Sequence, residues 1–135
     1  MVTDVLVDTS VWIEFFNRTT SPHADKLAEL IESKANVWVT PTIIQELLQG
    51  FQNDEDFEAA KEIMLSYPIM VADPVEASVG AAELYRLARK RGLTVRRSND
   101  CLIAWYAVQA GFPILHKDRD FELLSQIVDL GTLSV

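Results

Sequence analysis

The sequence has little cysteine, little histidine and no long apolar run, and each shortage excludes a class of protein. Its single cysteine, Cys101, excludes an internal disulfide and fits a reducing cytoplasm. One cysteine and two histidines do not make a zinc site at any usual spacing. No apolar run approaches the roughly 18 residues that span a bilayer, and the N-terminus lacks the pattern of a secretory signal. We therefore expect a cytoplasmic protein without a membrane segment.

Positive charge is also scarce, and what there is lies in one place. The net charge of −8 argues against a protein that binds nucleic acid through bulk electrostatics. Six of the 12 basic residues nevertheless fall between Arg86 and Arg97. This segment is either the solvated end of a helix, where basic residues are favoured, or a basic lip that holds phosphates or an acidic partner.

The alternation of short apolar runs with helical patterns predicts the fold class. With 49% hydrophobic and 24% charged residues, the chain is predicted to form one globular domain over residues 1–135. Strands are predicted at 5–7, 37–39, 67–71 and 112–115, with a short edge strand within 128–135, and helices lie between them. We therefore predict an α/β fold, with a mainly parallel central sheet of four to five strands and helices on both faces.

Acidic residues recur where strands give way to helices. Asp8 and Asp118 each follow a predicted strand, and in a parallel sheet such positions share one edge. Asp8 could instead only cap the next helix. Asp100 begins a helix that is apolar nearly all round, where it could simply complement the helix dipole. Glu46 lies away from the apolar stripe of its own helix, a pattern more typical of a solvated acid.

Carboxylates gathered at one sheet edge require compensation. At about 5 Å and an effective dielectric near 20, each pair costs on the order of 3 kcal/mol. Such a cluster persists only if some acids are protonated or a cation holds them. Oxygen ligands without histidine or cysteine select Mg²⁺ or Mn²⁺ over zinc, and carboxylate-held Mg²⁺ is suited to phosphate ester chemistry.

Four motifs, in order and at family spacing, cover almost the whole chain. The sequence resembles PIN-domain ribonucleases, and specifically the VapC toxins of type II toxin–antitoxin systems. The residues that carry this resemblance are 7–13 (VDTSVWI), 45–50 (QELLQG), 98–104 (SNDCLIA), and 111–115 (GFPIL) followed by 117–121 (KDRDF).

The resemblance implies an active site and an activity. Asp8, Glu46, Asp100 and Asp118 would form an acidic quartet, with Asp8, Asp100 and Asp118 as ligands of Mg²⁺, or of Mn²⁺ in its place. Glu46 would act partly through water, so the resemblance overrides its pattern as a solvated acid. The implied reaction is endonucleolytic cleavage of RNA, often tRNA or rRNA, which inhibits translation.

Several neighbours of these acids are secondary candidates. His116 stands where the family usually has Thr or Ser; it either fills a polar position beside the site, orients water or contacts RNA. Asp120 is an alternative to Asp118 as the fourth acid of the quartet, and the spacing within the motif favours Asp118. Ser10 and Ser98 either hold neighbouring carboxylates or cap helices.

Substrate and partners follow from the same resemblance. RNA binding would use Arg96, Arg97, Lys117 and Arg119. The three tryptophans lie in apolar runs and are expected in the core, so no exposed aromatic residue for base stacking can be identified. VapC-like toxins imply a homodimer and a small VapB-like antitoxin, which commonly inserts an arginine among the acids.

Two other function classes remain open from sequence. The first is a protein-binding module that has kept the fold without catalysis. The second is a phosphate-handling α/β enzyme, such as a phosphatase or receiver domain. The latter is disfavoured because no second aspartate lies two residues after Asp8.

Overall fold

Short parallel strands are joined by helices along the chain. The computed structural model describes residues 3–135, so Met1 and Val2 of the predicted domain lie outside the described residues. The strands of this part are β1 (Asp4–Val7), β2 (Asn36–Trp38) and β3 (Ile114–Leu115). The helices are α1 (Thr9–Phe16), α2 (Pro22–Glu32), α3 (Pro41–Leu48), α4 (Asp54–Leu65), α5 (Pro74–Lys90), α6 (Ser98–Ala110) and α7 (Arg119–Leu124).

Most of these helices begin where local sequence chemistry favours a start. Helices α2, α3 and α5 each have proline in the first turn, where a missing N–H costs nothing. Side-chain oxygens accept backbone N–H groups at the starts of six helices, α6 being the exception. The capping residues are Asp8, Ser21, Thr40, Asn53, Asp73 and Asp118.

The sheet has the order β2-β1-β3, with β1 parallel to both neighbours. Val5, Leu6 and Val7 are all fully buried. Because successive side chains of a strand point to opposite faces, both faces of the central strand are covered. Val7 pairs with Leu115, so the carboxyl ends of β1 and β3 lie side by side. The α/β class and the parallel sheet are confirmed, and this edge of the sheet carries Asp8 and the segment leading to Asp118.

The predicted number of strands is wrong, because the described residues form three strands rather than four to five. The segment 67–71 makes one parallel bridge, between Val39 and Ile69. Pro68 has no N–H to extend the ladder, and Val71 is 88% exposed just before α5 begins. The C-terminal segment likewise makes one bridge, between Ile114 and Thr132. Both segments are predicted as strands, and each pairs with the sheet at a single residue.

Helices α5 and α6 approach each other closely at Gly80. A Cβ built on Gly80 would lie 2.1 Å from the indole Nε1 of Trp105, so no larger residue fits without moving the ring. Trp12 is fully buried as expected, whereas Trp105 and Trp38 are only partly buried against the core. Within residues 3–135, no helix combines the length and the apolar character needed to cross a membrane.

Candidate active site

Asp8 lies directly after β1 and is buried. Its Oδ2 accepts hydrogen bonds from the backbone N–H and the hydroxyl of Ser10, at 3.0 and 2.6 Å. The same hydroxyl accepts from the backbone N–H of Lys117 at 3.1 Å, which ties α1 to the segment after β3. Burial raises the pKa of Asp8 above its ordinary value, although the Ser10 hydrogen bonds oppose this. Asp8 therefore caps α1, and it does so in a place where a negative charge is costly.

Asp100 is the least satisfied polar group of the described residues. It lies in the first turn of α6, is 3% exposed, and its buried Oδ2 has no hydrogen-bond partner. Burial, and then the charge of Asp8, raise the pKa of Asp100 to about 9, and the nearby carboxylates of Asp120 and Asp118 add to this. A buried polar atom without a partner requires an explanation, such as an ion that is bound there.

Asp118 and Asp120 lie at the start of α7, close to Asp100 of α6. One ligand atom from each of these three acids lies within 4.8 Å of the other two; we call these residues the acidic cluster. Asp118 Oδ1 accepts the N–H of Asp120 at 2.9 Å. Asp120 is almost fully buried and accepts the N–H groups of Arg96 and Arg97, at 3.1 and 2.9 Å. Asp120 thus fixes the backbone that leads into α6.

Glu46 does not behave as a solvated acid. It is only partly exposed, and its Oε1 accepts the hydroxyl of Thr9 at 2.8 Å. The side-chain amide of Asn99 donates to Oε2 at 3.4 Å. The charge of Glu46 contributes to the raised pKa of Asp8, so the two carboxylates lie close enough to interact electrostatically. Sequence reasoning missed Thr9 and Asn99; the only local signal is that each lies next to a candidate acid.

His116 is held at both ring nitrogens. Nδ1 accepts the backbone N–H of Asp118 at 3.2 Å, and Nε2 lies 3.1 Å from Glu122 Oε1. This pairing assigns the proton to Nε2. Burial lowers the pKa of His116, which favours the neutral ring. The imidazole packs against the ring of Phe121, with 5.1 Å between the ring centroids. His116 therefore fills a polar position behind Asp118 and fixes its backbone.

The predicted substrate-binding residues are exposed at the rim. Arg96 and Arg97 line a cavity of about 340 Å³ together with Glu46, Ser98 and Asn99. Lys117 pairs with Glu14, which lowers the pKa of that carboxyl, and Arg119 is exposed near the acidic cluster. Ser98 does not cap α6. The cap residue is Arg97, and no side-chain cap hydrogen bond forms, because Ser98 is itself the first helical residue.

The donor set fits a hard divalent cation. The acids that converge here offer only carboxylate oxygens. The nearest thiol, Cys101, is buried in α6, and burial raises its pKa to about 11, so it remains a neutral core residue. The unpartnered oxygen of Asp100 would coordinate such a cation, and the charge of the cation would relieve the repulsion among the acids. The acidic cluster can therefore bind a divalent metal.

Comparisons with known proteins agree with the fold. A family model described as the PIN domain matches residues 5–126, and the chain belongs to this family. It is similar to the VapC ribonuclease Mb1587 of Mycobacterium bovis, with 35% identity over 131 residues that cover 96% of this chain and 98% of that protein. PIN-domain nucleases generally depend on a divalent metal, in keeping with the acidic cluster.

Solved structures share the fold at lower identity. VapBC2 from Rickettsia felis, bound to a DNA fragment from its promoter, matches with a TM-score of 0.72 and 17% identity, over 97% of this chain and 98% of that chain. VapBC-5 from Mycobacterium tuberculosis, a member of the VapBC family of toxin–antitoxin systems, matches with a TM-score of 0.69 and 22% identity, over 98% and 99%.

Proposed function

We propose that this chain is a Mg²⁺-dependent endoribonuclease and the toxin of a type II toxin–antitoxin pair. The observation that carries the proposal is the unpartnered, buried Oδ2 of Asp100 beside two further acids. The similarity to a VapC ribonuclease over nearly the full length supports RNA as the substrate. Cleavage of tRNA or rRNA, to inhibit translation, is the outcome that the resemblance implies.

In this proposal Asp100 and Asp118 of the acidic cluster hold the cation together with Asp8, which lies outside the cluster but acts on Asp100 through its charge. Mn²⁺ could replace Mg²⁺. Asp118 is preferred to Asp120 as a ligand because, within the described residues, it has a free carboxylate oxygen. Among the hydrogen bonds there, its side chain accepts one N–H, at Oδ1. Both oxygens of Asp120 already accept backbone N–H groups. A bound Mg²⁺ supplies positive charge for the phosphodiester and lowers the pKa of water.

The chain's own residues hold this arrangement in place. Ser10 fixes the carboxylate of Asp8, and Thr9 fixes that of Glu46. We assign Glu46 the role of orienting the attacking water, because its carboxylate faces the site from α3 while its two hydrogen bonds fix its direction. Arg96, Arg97, Lys117 and Arg119 bind the RNA backbone.

The proposed partners are an RNA substrate, a second copy of the chain and a small VapB-like antitoxin. Solved VapBC complexes of the same fold support the antitoxin. An arginine of that antitoxin would reach the acidic cluster and compensate the same charges that the cation compensates.

Cleavage of labelled total RNA by the purified chain tests the proposal. We expect fragments with Mg²⁺ and none with EDTA. Asp118→Asn should abolish cleavage and leave the fold intact, whereas Asp120→Asn should chiefly lower thermal stability, because it weakens the hold on Arg96 and Arg97. Full cleavage by Asp118→Asn, or cleavage that persists in EDTA, would contradict the assignment.

A further inference from the structure

A groove between α5 and α6 adjoins the acidic cluster and has the opposite character. It encloses about 530 Å³, and we call it the α5–α6 groove. Its lining includes Tyr85, Arg86 and Arg89 from α5 and Ser98, Asn99 and Leu102 from α6. Although the chain carries a net charge of −8, none of the described residues that line this groove is acidic. An anion entering it meets two guanidiniums and no carboxylate.

The arginines of the groove are not used to hold the fold together. Arg86 and Arg89 are exposed, and neither has a carboxylate within 4.0 Å in the part of the chain that the structure describes. Lys26, Lys61 and Lys117, by contrast, all pair with glutamates. Free guanidiniums are suited to bidentate contacts with phosphate.

Tyr85 gives the groove a stacking surface. Tyr85 is 36% exposed, and the guanidinium of Arg89 lies over its ring at 5.2 Å from the ring centroid. Tyrosine rings and guanidinium planes are the surfaces on which unpaired bases stack in single-stranded RNA. Tyr85 and Arg89 are four residues apart on one helix face, so α5 itself sets their arrangement.

The groove is continuous with the active site. Ser98 and Asn99 line both the α5–α6 groove and the smaller cavity that contains Glu46. Asn99 also donates to Glu46, and Asp100 is the next residue of α6. A strand with its phosphate at the acidic cluster would therefore pass over the first turn of α6 to reach Tyr85.

We propose that the α5–α6 groove binds an unpaired stretch of the RNA strand next to the scissile phosphate. Tyr85 and Arg89 stack one base, and Arg86 pairs with a backbone phosphate. This subsite rests on the proposed endoribonuclease function, and it deepens that function by selecting single-stranded loops over duplex RNA.

The binding test uses the full-length chain and a short, fluorescein-labelled, mixed-sequence single-stranded RNA. Anisotropy is measured in Ca²⁺, which has the charge of Mg²⁺ but a different preferred geometry. Tyr85→Ala should weaken binding about tenfold and Tyr85→Phe should not, because the phenyl ring still stacks. Arg86→Gln should lower the salt slope of log K by about 0.7, the value for one phosphate contact on a single strand. Arg91→Gln removes an equal charge outside the groove and should change neither quantity.

The cleavage test separates this proposal from the endoribonuclease function. In Mg²⁺, Tyr85→Ala should raise KM for the RNA about tenfold with little change in kcat. Cleavage of a dinucleotide, too short to reach the groove, should not change. Wild-type protein that cleaves neither substrate would refute the endoribonuclease function. Unchanged RNA affinity in Tyr85→Ala would overturn the groove proposal, with or without cleavage. If Tyr85→Ala keeps its RNA affinity but loses dimerisation or antitoxin binding, the groove binds a protein partner, and the proposal of an RNA subsite is likewise overturned.

Discussion

The acidic cluster and the α5–α6 groove meet at the first turn of α6, yet they differ in burial and in charge. The acids are buried or half-buried and crowd together, which raises the pKa of Asp100 to about 9. The arginines of the groove are exposed and unpaired among the described residues. The carboxylate of Asp120 accepts the backbone N–H groups of Arg96 and Arg97, whereas the guanidiniums of these two residues form no ion pair with the cluster within residues 3–135.

This difference shows that the chain does not neutralise its own charges at the site. Arginine side chains next to the cluster could satisfy the acids, but no such ion pair forms within residues 3–135. Each region is therefore left for a ligand of the opposite sign. A cation satisfies the acids, and a polyanion satisfies the arginines. In the proposed function, Mg²⁺ and RNA would occupy these two regions at the same time.

The largest effect is expected from Asp100→Asn, which removes the central charge of the acidic cluster. Cleavage of RNA in Mg²⁺ should fall by about 10³-fold, because the cation loses its most buried ligand. A time course with labelled RNA measures this. In EDTA at pH 7 the same variant should unfold at nearly the temperature of the wild type, because Asp100 is already protonated there and the amide is equally uncharged. Retained activity would show that the cluster is not catalytic.

A smaller loss is expected from Thr9→Val, which keeps the shape of the side chain and removes the hydroxyl bound to Glu46. Activity should fall by about 10- to 100-fold, as for residues that orient a ligating or catalytic group. Thr9→Ser retains the hydroxyl and is the matched control. Equal rates for wild type and Thr9→Val would mean that the direction of Glu46 does not matter.

Gly80→Ala tests the helix contact that shapes the α5–α6 groove. The added Cβ would lie 2.1 Å from the Trp105 ring, so the ring or the helix must shift. We expect a loss of about 1–3 kcal/mol in the free energy of unfolding, measured in urea. Gly131→Ala is the control, because its Cβ would make ordinary contacts at 3.6 Å. Equal stabilities of the two variants would contradict the close packing of α5 on α6.

The smallest effect is a pH dependence of the stability that Mg²⁺ adds. The pKa of Asp100 is raised from 3.8 to about 9, so without metal the folded state keeps a proton that the unfolded state releases. This group's contribution to stability is complete below pH 3.8 and is lost as pH rises through 9. Mg²⁺ displaces that proton, so the shift it causes in Tm should be larger at pH 8.5 than at pH 6, by about 3 °C or more. Asp100→Asn should show no such trend in a calorimetric scan.

Much of this site could be predicted from sequence, because the edge of a parallel sheet is a property of the chain order. Asp8 and Asp118 follow strands, and β1 pairs directly with β3, so their place at one edge of the sheet needed no knowledge of side-chain packing. Glu46 was different. Its helical pattern indicated a solvated acid, and only the family motif marked it, because its hydroxyl donor Thr9 lies 37 residues away.

Other features depend on tertiary contacts that no local pattern contains. The segment 67–71 has residues suited to a strand, but Pro68 offers no N–H to a ladder and the segment makes one bridge, with Val39. Asp120 was a secondary candidate by spacing, and its hydrogen bonds to Arg96 and Arg97 join segments more than twenty residues apart. Tyr85 lies in a helix whose periodicity places it next to the core, yet the groove leaves its ring accessible.

The most direct test of the account is Mg²⁺ or Mn²⁺ binding to the acidic cluster, measured by isothermal titration calorimetry with the antitoxin absent. Wild-type chain should bind the cation saturably and release protons as it does so, because Asp100 must ionise. Asp100→Asn should abolish both the binding and the proton release, while Arg91→Gln should preserve them. Wild-type protein that binds neither cation, or an Asp100→Asn variant that binds as the wild type does, would contradict the claim that this cluster is a metal site.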